Sequence, residues 1–224
     1  MTLSSPSSFA QSDATHFVKA WDAAPLRTDP YNHFIVKELF TPSLVSDLVE
    51  IPVQEHDLAY ALGTREEFNP TRQYITPHTI SQFEAARRVS DIFLSPIVIS
   101  ALEKKGSISL KDTLLRIEYA IDKDKFWLTP HTDLGVKFFT LLIYLSEGED
   151  AYGWGTDIYY DADNHHSTVP YESNTGLSFF PSNKTWHGFE PRPLKGIRKT
   201  LIVNYVTQEW RNRHELVHPT KPVC

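Results

Sequence analysis

His131-Thr132-Asp133 sets an imidazole and a carboxylate two residues apart. In an extended segment, side chains at i and i+2 leave the same side of the strand, so the two groups converge without special backbone geometry. Taken alone, the triplet fits an exposed loop equally well. A third candidate, His187, lies in the strand-like segment Thr185-Trp186-His187-Gly188-Phe189. On its own it also fits a core histidine held by one hydrogen bond. Together, two imidazoles and one carboxylate can grip one face of a metal ion. The opposite face stays open, which suits iron(II) chemistry in which a co-substrate and oxygen must both reach the metal.

Eleven positions after His187, Arg198 follows the turn Pro191-Arg192-Pro193-Leu194-Lys195-Gly196, and Thr200 stands two residues further on. In a regular strand the guanidinium and the hydroxyl share one face, while Lys199 faces the other way. A planar guanidinium beside a hydroxyl suits bidentate recognition of a carboxylate. A solvated charge at a strand start is the plainer alternative. Trp127, Phe138, Phe139, Phe179 and Trp186 stand near these groups in sequence. They are expected to supply the dry apolar walls that protect a reactive centre.

Positioning these groups falls to a series of short strands. After Gly106, runs rich in Leu, Ile, Val, Phe, Tyr and Thr recur between turn residues, over 114–121, 126–131, 137–145, 156–160, 177–180, 185–189 and 200–206. Such a pattern suggests a sandwich or barrel. Before Gly106 the signals are mainly helical. His33 to Phe40 predicts a short strand, and Thr41-Pro42 an N-cap and first residue for a helix through about Glu50. Ser81 with Glu84 predicts a capping box, and Ser95-Pro96 a second start, so residues 82–104 read as two consecutive helices. Residues 52–77 show little periodicity and read as a long loop with a strand near Gln73 to Ile75. Ordered loops of that length are often functional.

The expected architecture is mainly β with flanking helices (α+β), an N-terminal helical layer packed on a jelly roll. Residues 1–12 are expected to form a flexible tail, because their small polar side chains bury too little surface to offset ordering entropy. Residues 13–224 read as a single domain, with a helical layer over about 13–105, a jelly-roll core over about 106–206 and a C-terminal extension over 207–224.

Composition narrows the function classes. A chain of 224 residues can bury a sizeable core. A formal net charge of −6 argues against a general nucleic-acid binder, though not against a local basic pocket for one small anion. The single cysteine, Cys224, forbids an intrachain disulfide and points to a reducing, cytoplasmic compartment. Residues 1–12 lack the features of a signal peptide. The most apolar stretch, Phe138 to Leu145, is far too short to span a bilayer.

The order His-x-Asp, a distant His, then Arg-x-Thr one hairpin later resembles the 2-oxoglutarate- and iron(II)-dependent oxygenase superfamily, and within it the prolyl-hydroxylase-like branch. The likeness runs from about Leu114 to Val206. Tyr144-Leu145-Ser146 looks like that branch's Tyr-Leu-Asn segment, with Ser where Asn is usual. Gly153-Trp154-Gly155-Thr156-Asp157 stands where Gly-Gly-Glu-Leu is frequent, an imperfect match. Asn174-Thr175-Gly176-Leu177 through Phe180 matches the strand and turn leading to the distal histidine.

The resemblance implies a double-stranded β-helix with iron(II) held by His131, Asp133 and His187. It implies that 2-oxoglutarate chelates the metal and that its far carboxylate meets Arg198 and Thr200, aided by the hydroxyls of Tyr144 and Tyr119. Tyr119 lies slightly further ahead of His131 than the family spacing, and both tyrosines fit equally as core aromatics with one polar handle. Related halogenases carry a small residue where Asp133 stands, so hydroxylation is implied over halogenation, with desaturation or ring closure as alternatives. The expected substrate is a small molecule, with 2-oxoglutarate and O2 converted to succinate and CO2.

Two alternatives stand beside this reading. One is a protein or peptidyl (prolyl-type) hydroxylase. The other is a non-oxygenase cupin-like metal-binding protein, against which the Arg198-Thr200 pair argues. Substrate contacts are expected from about 64–78 and 152–171. His165-His166 reads as exposed loop rather than a second metal site, and Trp210 to His214 as the cap of a final helix.

Overall fold

Strand β11 (Arg198–Val206) shows how the sequence builds the sheet. Leu201, Val203 and Tyr205 alternate with Thr200, Ile202 and Asn204, and a period of two sends the two sets to opposite faces. The computed structural model describes residues 8–52, 72–133 and 135–224. Its helices are α1 (Ser8–Ala23), α2 (Pro42–Val49), α3 (Pro77–Gln82), α4 (Glu84–Leu94) and α5 (Pro96–Gly106). The first strands are β1 (Leu26–Arg27), β2 (His33–Lys37), β3 (Arg72–Tyr74), β4 (Leu114–Asp122), β5 (Leu128–His131) and β6 (Lys137–Tyr144). There follow β7 (Asp157–Tyr159), β8 (His165–Thr168), β9 (Thr175–Phe179) and β10 (His187–Phe189).

The strands form two antiparallel sheets, in the orders β1-β2-β9-β6-β11-β4-β3 and β5-β10-β7-β8. From β4 onward the chain passes back and forth between them, which is the course of a double-stranded β-helix. Register fixes which residues share a face. Thr200 stands between Ala120 and Tyr144, and Leu201 between Tyr119 and Ile143. One face of the large sheet therefore carries Leu201, Val203, Tyr205, Phe139, Leu141 and Tyr119, buried against Phe17 and Trp21 of α1 and Phe93 of α4. The other face carries Leu142, Tyr144, Leu177 and Ile202, which pack with Ile158 and Phe189 of the small sheet.

The fold is mainly β with flanking helices, as the sequence implies, and several element boundaries differ. Helix α1 begins at Ser8, inside the stretch expected to be a flexible tail, while residues 1–7 lie outside the described residues. Phe17 and Trp21 are fully buried, and about 1.5–3 kcal/mol of burial for each large apolar side chain offsets the cost of ordering a polar start. The Ser81–Glu84 capping box does not form. Thr76 instead caps α3 by accepting from the Thr79 N–H at 3.3 Å, Ser81 donates to the His78 carbonyl, and Glu84 pairs with Arg87. Proline starts α2 and α5 as expected. Most of the long loop expected over 52–77 lies outside the described residues, with β3 and the start of α3 at its end. Residues 213–215 form one 3-10 turn in place of a final helix. No helix among the described residues is long and apolar enough to cross a membrane.

Candidate metal centre and anion pocket

β10 pairs with β5 so that His187 stands directly opposite His131, their rings 4.3 Å apart. Asp133, two residues past the end of β5, brings its carboxylate to the same point. One donor atom from each of the three residues lies within 4.8 Å of the others. Both rings are oriented alike. The Nδ1 of His131 faces the Thr129 carbonyl at 2.9 Å and that of His187 faces the Thr185 carbonyl at 3.0 Å. A carbonyl only accepts, so each Nδ1 carries the proton and each Nε2 is left with its lone pair. This is the orientation that backbone carbonyls impose on metal-binding histidines.

Electrostatics agree with that role. Burial pushes the His187 imidazolium down to about 3 despite the nearby Asp133 carboxylate, so the ring stays neutral. Its Nε2 is buried with no hydrogen-bond partner among the described residues. Both oxygens of Asp133 are held, with Oδ1 accepting from the Lys137 ammonium at 2.8 Å and Oδ2 from the Thr140 hydroxyl at 3.0 Å. A neutral imidazole with an orphaned nitrogen, a second imidazole and an anchored carboxylate fit a first-row divalent metal.

A small cavity leads inward from His187 between the sheets, lined by Leu142, Thr156, Phe189, Arg198 and Ile202. Arg198 reaches it with Nε on the Trp154 carbonyl at 2.6 Å and Nη1 on Asp122. A guanidinium has five N–H donors, so capacity for a ligand remains. Thr200 shares this face, and its Oγ1 is buried without a partner among the described residues. The Tyr144 hydroxyl enters the same region, donating to Thr156 Oγ1 at 3.1 Å and accepting from the Thr156 N–H at 3.2 Å. Arg198 and His187 thus line one cavity, with Thr200 and Tyr144 on the same face of the large sheet and His131 and Asp133 grouped with His187.

Tyr119 does not join them. Its register partner Leu201 faces the helices, and the Tyr119 hydroxyl donates to the Leu48 carbonyl at 3.1 Å on that side of the sheet. An odd-numbered step along β4 separates it from Ala120 and Asp122, which face the cavity. Two of the expected aromatic walls are also displaced. Phe139 faces the helices and Phe138 is exposed, whereas the Phe179 ring lies 4.7 Å from that of His187. His165-His166 is not a loop but the start of strand β8, with His165 3.4 Å from Asp157 and His166 3.1 Å from Asp29.

Several site residues were not apparent from the sequence. Asp122 and Glu118 on β4 and Arg72 on β3 form a buried ionic array with Arg198 and Arg116. Arg72 Nη1 has no hydrogen-bond partner among the described residues. The Leu-Leu-Arg-Ile-Glu-Tyr-Ala-Ile-Asp alternation of β4 carries the signal, since it puts charges on the face opposite Ile117 and Ile121. Thr156 is set by Gly155, where an added Cβ would lie 1.5 Å from the Val169 carbonyl oxygen, so only glycine lets the strands meet.

Solved structures with a similar fold include a prolyl-4-hydroxylase from Pseudomonas putida, at 18% identity and a TM-score of 0.55, covering 89% of this chain and 98% of that one. A prolyl hydroxylase from Trichoplax adhaerens, in complex with a hypoxia inducible factor oxygen degradation domain peptide fragment, matches at 14% identity and a TM-score of 0.57, covering 90% and 91%. The non-heme alpha ketoglutarate dependent epimerase SnoN from nogalamycin biosynthesis matches at 11% identity and a TM-score of 0.52, covering 87% and 83%. At these identities the likeness is one of fold. No family model and no curated protein matches the sequence.

Proposed function

We propose that the protein is an iron(II)- and 2-oxoglutarate-dependent dioxygenase that hydroxylates an unactivated C–H bond of a small molecule. The observation that carries this reading is the pairing of a two-histidine, one-carboxylate cluster with an arginine-ended cavity that begins beside it. A cupin-like metal protein needs the first feature and has no use for the second. The similar fold of 2-oxoglutarate-dependent enzymes supports the same reading. The single cysteine and the requirement for reduced iron suit a cytoplasmic location.

His131, Asp133 and His187 would hold the iron, and Arg198, Thr200 and Tyr144 the far carboxylate of 2-oxoglutarate. The bound metal with its co-substrate supplies an oxidant from O2, one oxygen atom entering the product hydroxyl and the other succinate as CO2 leaves. The protein's own part is positional. The Thr129 and Thr185 carbonyls fix both histidine tautomers, and Thr140 fixes the Asp133 carboxylate. Phe179 and Phe189 keep water from the inner walls, which strengthens every electrostatic contact there.

A peptide substrate is the second reading, favoured by the two prolyl hydroxylases of similar fold, one of them bound to a peptide fragment. Anaerobic titration with iron(II), then 2-oxoglutarate, followed by visible absorption, tests the shared part of both. A weak charge-transfer band that needs both components is expected. Iron binding without the band would return the protein to the cupin-like alternative, and binding of neither would remove the ligand assignment. Succinate formation with small-molecule and proline-peptide panels then separates the two substrate classes.

A further inference from the structure

Tyr31, between β1 and β2, is 4% exposed, and its hydroxyl is buried with no hydrogen-bond partner among the described residues. Its ring stands edge-on to Phe179 at 5.9 Å and to His33 at 5.6 Å, and Phe179 is itself in contact with His187. Burial pushes the phenol well above its usual range, and the Tyr144 hydroxyl and Asp133 carboxylate act in the same direction. Tyr31 shares one buried cluster with Tyr144 and Phe179. An unpaired buried hydroxyl loses its hydration for no return, and phenylalanine would fill the same space without that loss.

The segment carrying Tyr31 is fixed from two sides. The Tyr31 carbonyl accepts from His33 Nδ1 at 2.9 Å, and Asp29, two residues earlier, faces His166 Nε2 of β8 at 3.1 Å. The ring thus packs into the inner apolar cluster with Leu142, Tyr144 and Phe179, with Phe179 between it and His187, and its hydroxyl is left unused. A phenol with a raised pKa stays protonated and serves as a donor. The ligand that best matches such a donor is an anionic oxygen, because a charge-assisted hydrogen bond is strong enough to replace water.

Building on the proposed 2-oxoglutarate site, we infer that the Tyr31 hydroxyl donates a hydrogen bond to a carboxylate oxygen of the co-substrate where it passes Phe179 and Tyr144. Tyr31 is thereby a second tyrosine contact on the co-substrate side beside Tyr144, reached from the connection between β1 and β2 rather than from the jelly-roll core.

The test is the dissociation constant of 2-oxoglutarate in the iron(II)-loaded protein, read anaerobically from the absorption band, for wild type and Tyr31→Phe. Melting temperatures of both metal-free proteins are measured alongside. At least about tenfold weaker 2-oxoglutarate binding is expected, the loss for a hydrogen bond to a charged group. The iron(II) dissociation constant and the melting temperature should be unchanged or slightly improved. Wild-type protein that gives the band while Tyr31→Phe binds 2-oxoglutarate equally well would overturn this inference alone. Wild-type protein that binds iron and gives no band would overturn it together with the 2-oxoglutarate reading. A metal-free Tyr31→Phe that melts well below wild type would show a structural partner for the hydroxyl and likewise overturn it.

Discussion

The two faces of the large sheet come from the same strands and obey opposite rules. Toward the helices, Phe139, Leu141, Leu201, Val203 and Tyr205 are fully buried, and the Tyr205 hydroxyl is spent on the Phe93 carbonyl at 2.5 Å. Toward the small sheet, the same strands bury Arg198, Thr200, Asn204, Arg116, Glu118 and Asp122. Atoms there that end without hydrogen-bond partners among the described residues include His187 Nε2, Thr200 Oγ1, Arg72 Nη1 and the Tyr31 hydroxyl. Satisfied apolar packing raises stability, whereas orphaned buried polar atoms lower it unless something binds them. The difference separates a face whose polar groups are few and spent from a face that keeps unmet polar capacity.

Each face can be broken separately. On the inner face, Asp133→Ala removes the one carboxylate of the cluster, and loss of both iron(II) binding and turnover is expected by anaerobic metal titration. A fully active variant would end the ligand assignment. On the outer face, Phe139→Ala should cost about 3–5 kcal/mol of stability in urea unfolding, because a large buried ring leaves a cavity. Below its melting temperature that variant should bind iron(II) as the wild type does. Loss of iron binding in the folded variant would show that the faces are not independent.

Arg198→Ala tests the deep end of the cavity. It should weaken 2-oxoglutarate binding by about 1.5–3 kcal/mol, the value of a hydrogen bond to a charged group, while iron(II) affinity holds. Asp122 keeps Arg72 as a partner at 3.1 Å, so the variant is not left with a buried carboxylate alone. An unchanged 2-oxoglutarate affinity would move the carboxylate contact elsewhere in the array.

A pH series sharpens the comparison further. His187 is pushed down to about 3 by burial, whereas in the unfolded chain it titrates near 6.5. Below that pH the unfolded state takes up a proton that the folded ring refuses, so the metal-free protein loses stability as pH falls from 7 toward 5. The slope reaches about 1.4 kcal/mol per pH unit for this group. His33 and His218, also lowered by burial, add in the same direction. His187→Asn should flatten the profile measured by urea unfolding, and an unaltered slope would mean that the ring is not held neutral.

The contrast also explains what could be read from the residues. His131-Thr132-Asp133 and Arg198-Lys199-Thr200 are read through an i, i+2 relation, which depends on local backbone alone; β11 is a strand over the second, while β5 ends at His131 and Asp133 follows it outside the strand. Joining them to His187 required only a hairpin-like order along the chain. Tyr119 failed because its side follows from the register of β4 against β11, and one residue of slip reverses every side chain. Arg72 comes from β3 and Tyr31 from the connection between β1 and β2, and no local pattern announces where either meets the jelly roll. The capping box failed for a different reason, since Thr76-Pro77 opened a short helix that absorbed Ser81.

The smallest expected effect belongs to Tyr144→Phe. Its hydroxyl already has two contacts, both with Thr156, so it differs from Tyr31 and Thr200 in not waiting for a ligand. Its ring is stacked on Tyr171 at 4.5 Å and would stay in place after loss of the oxygen. If the hydroxyl turns from Thr156 to the co-substrate carboxylate, one hydrogen bond replaces another, and the net loss in 2-oxoglutarate binding is about 0.5–1.5 kcal/mol. The variant also leaves Thr156 short of a partner, which lowers the stability of the metal-free protein by a similar amount. Comparing the two losses decides the role of the residue. Equal losses of stability with and without 2-oxoglutarate would make Tyr144 part of the scaffold, while a larger loss with ligand bound would place its hydroxyl on the carboxylate.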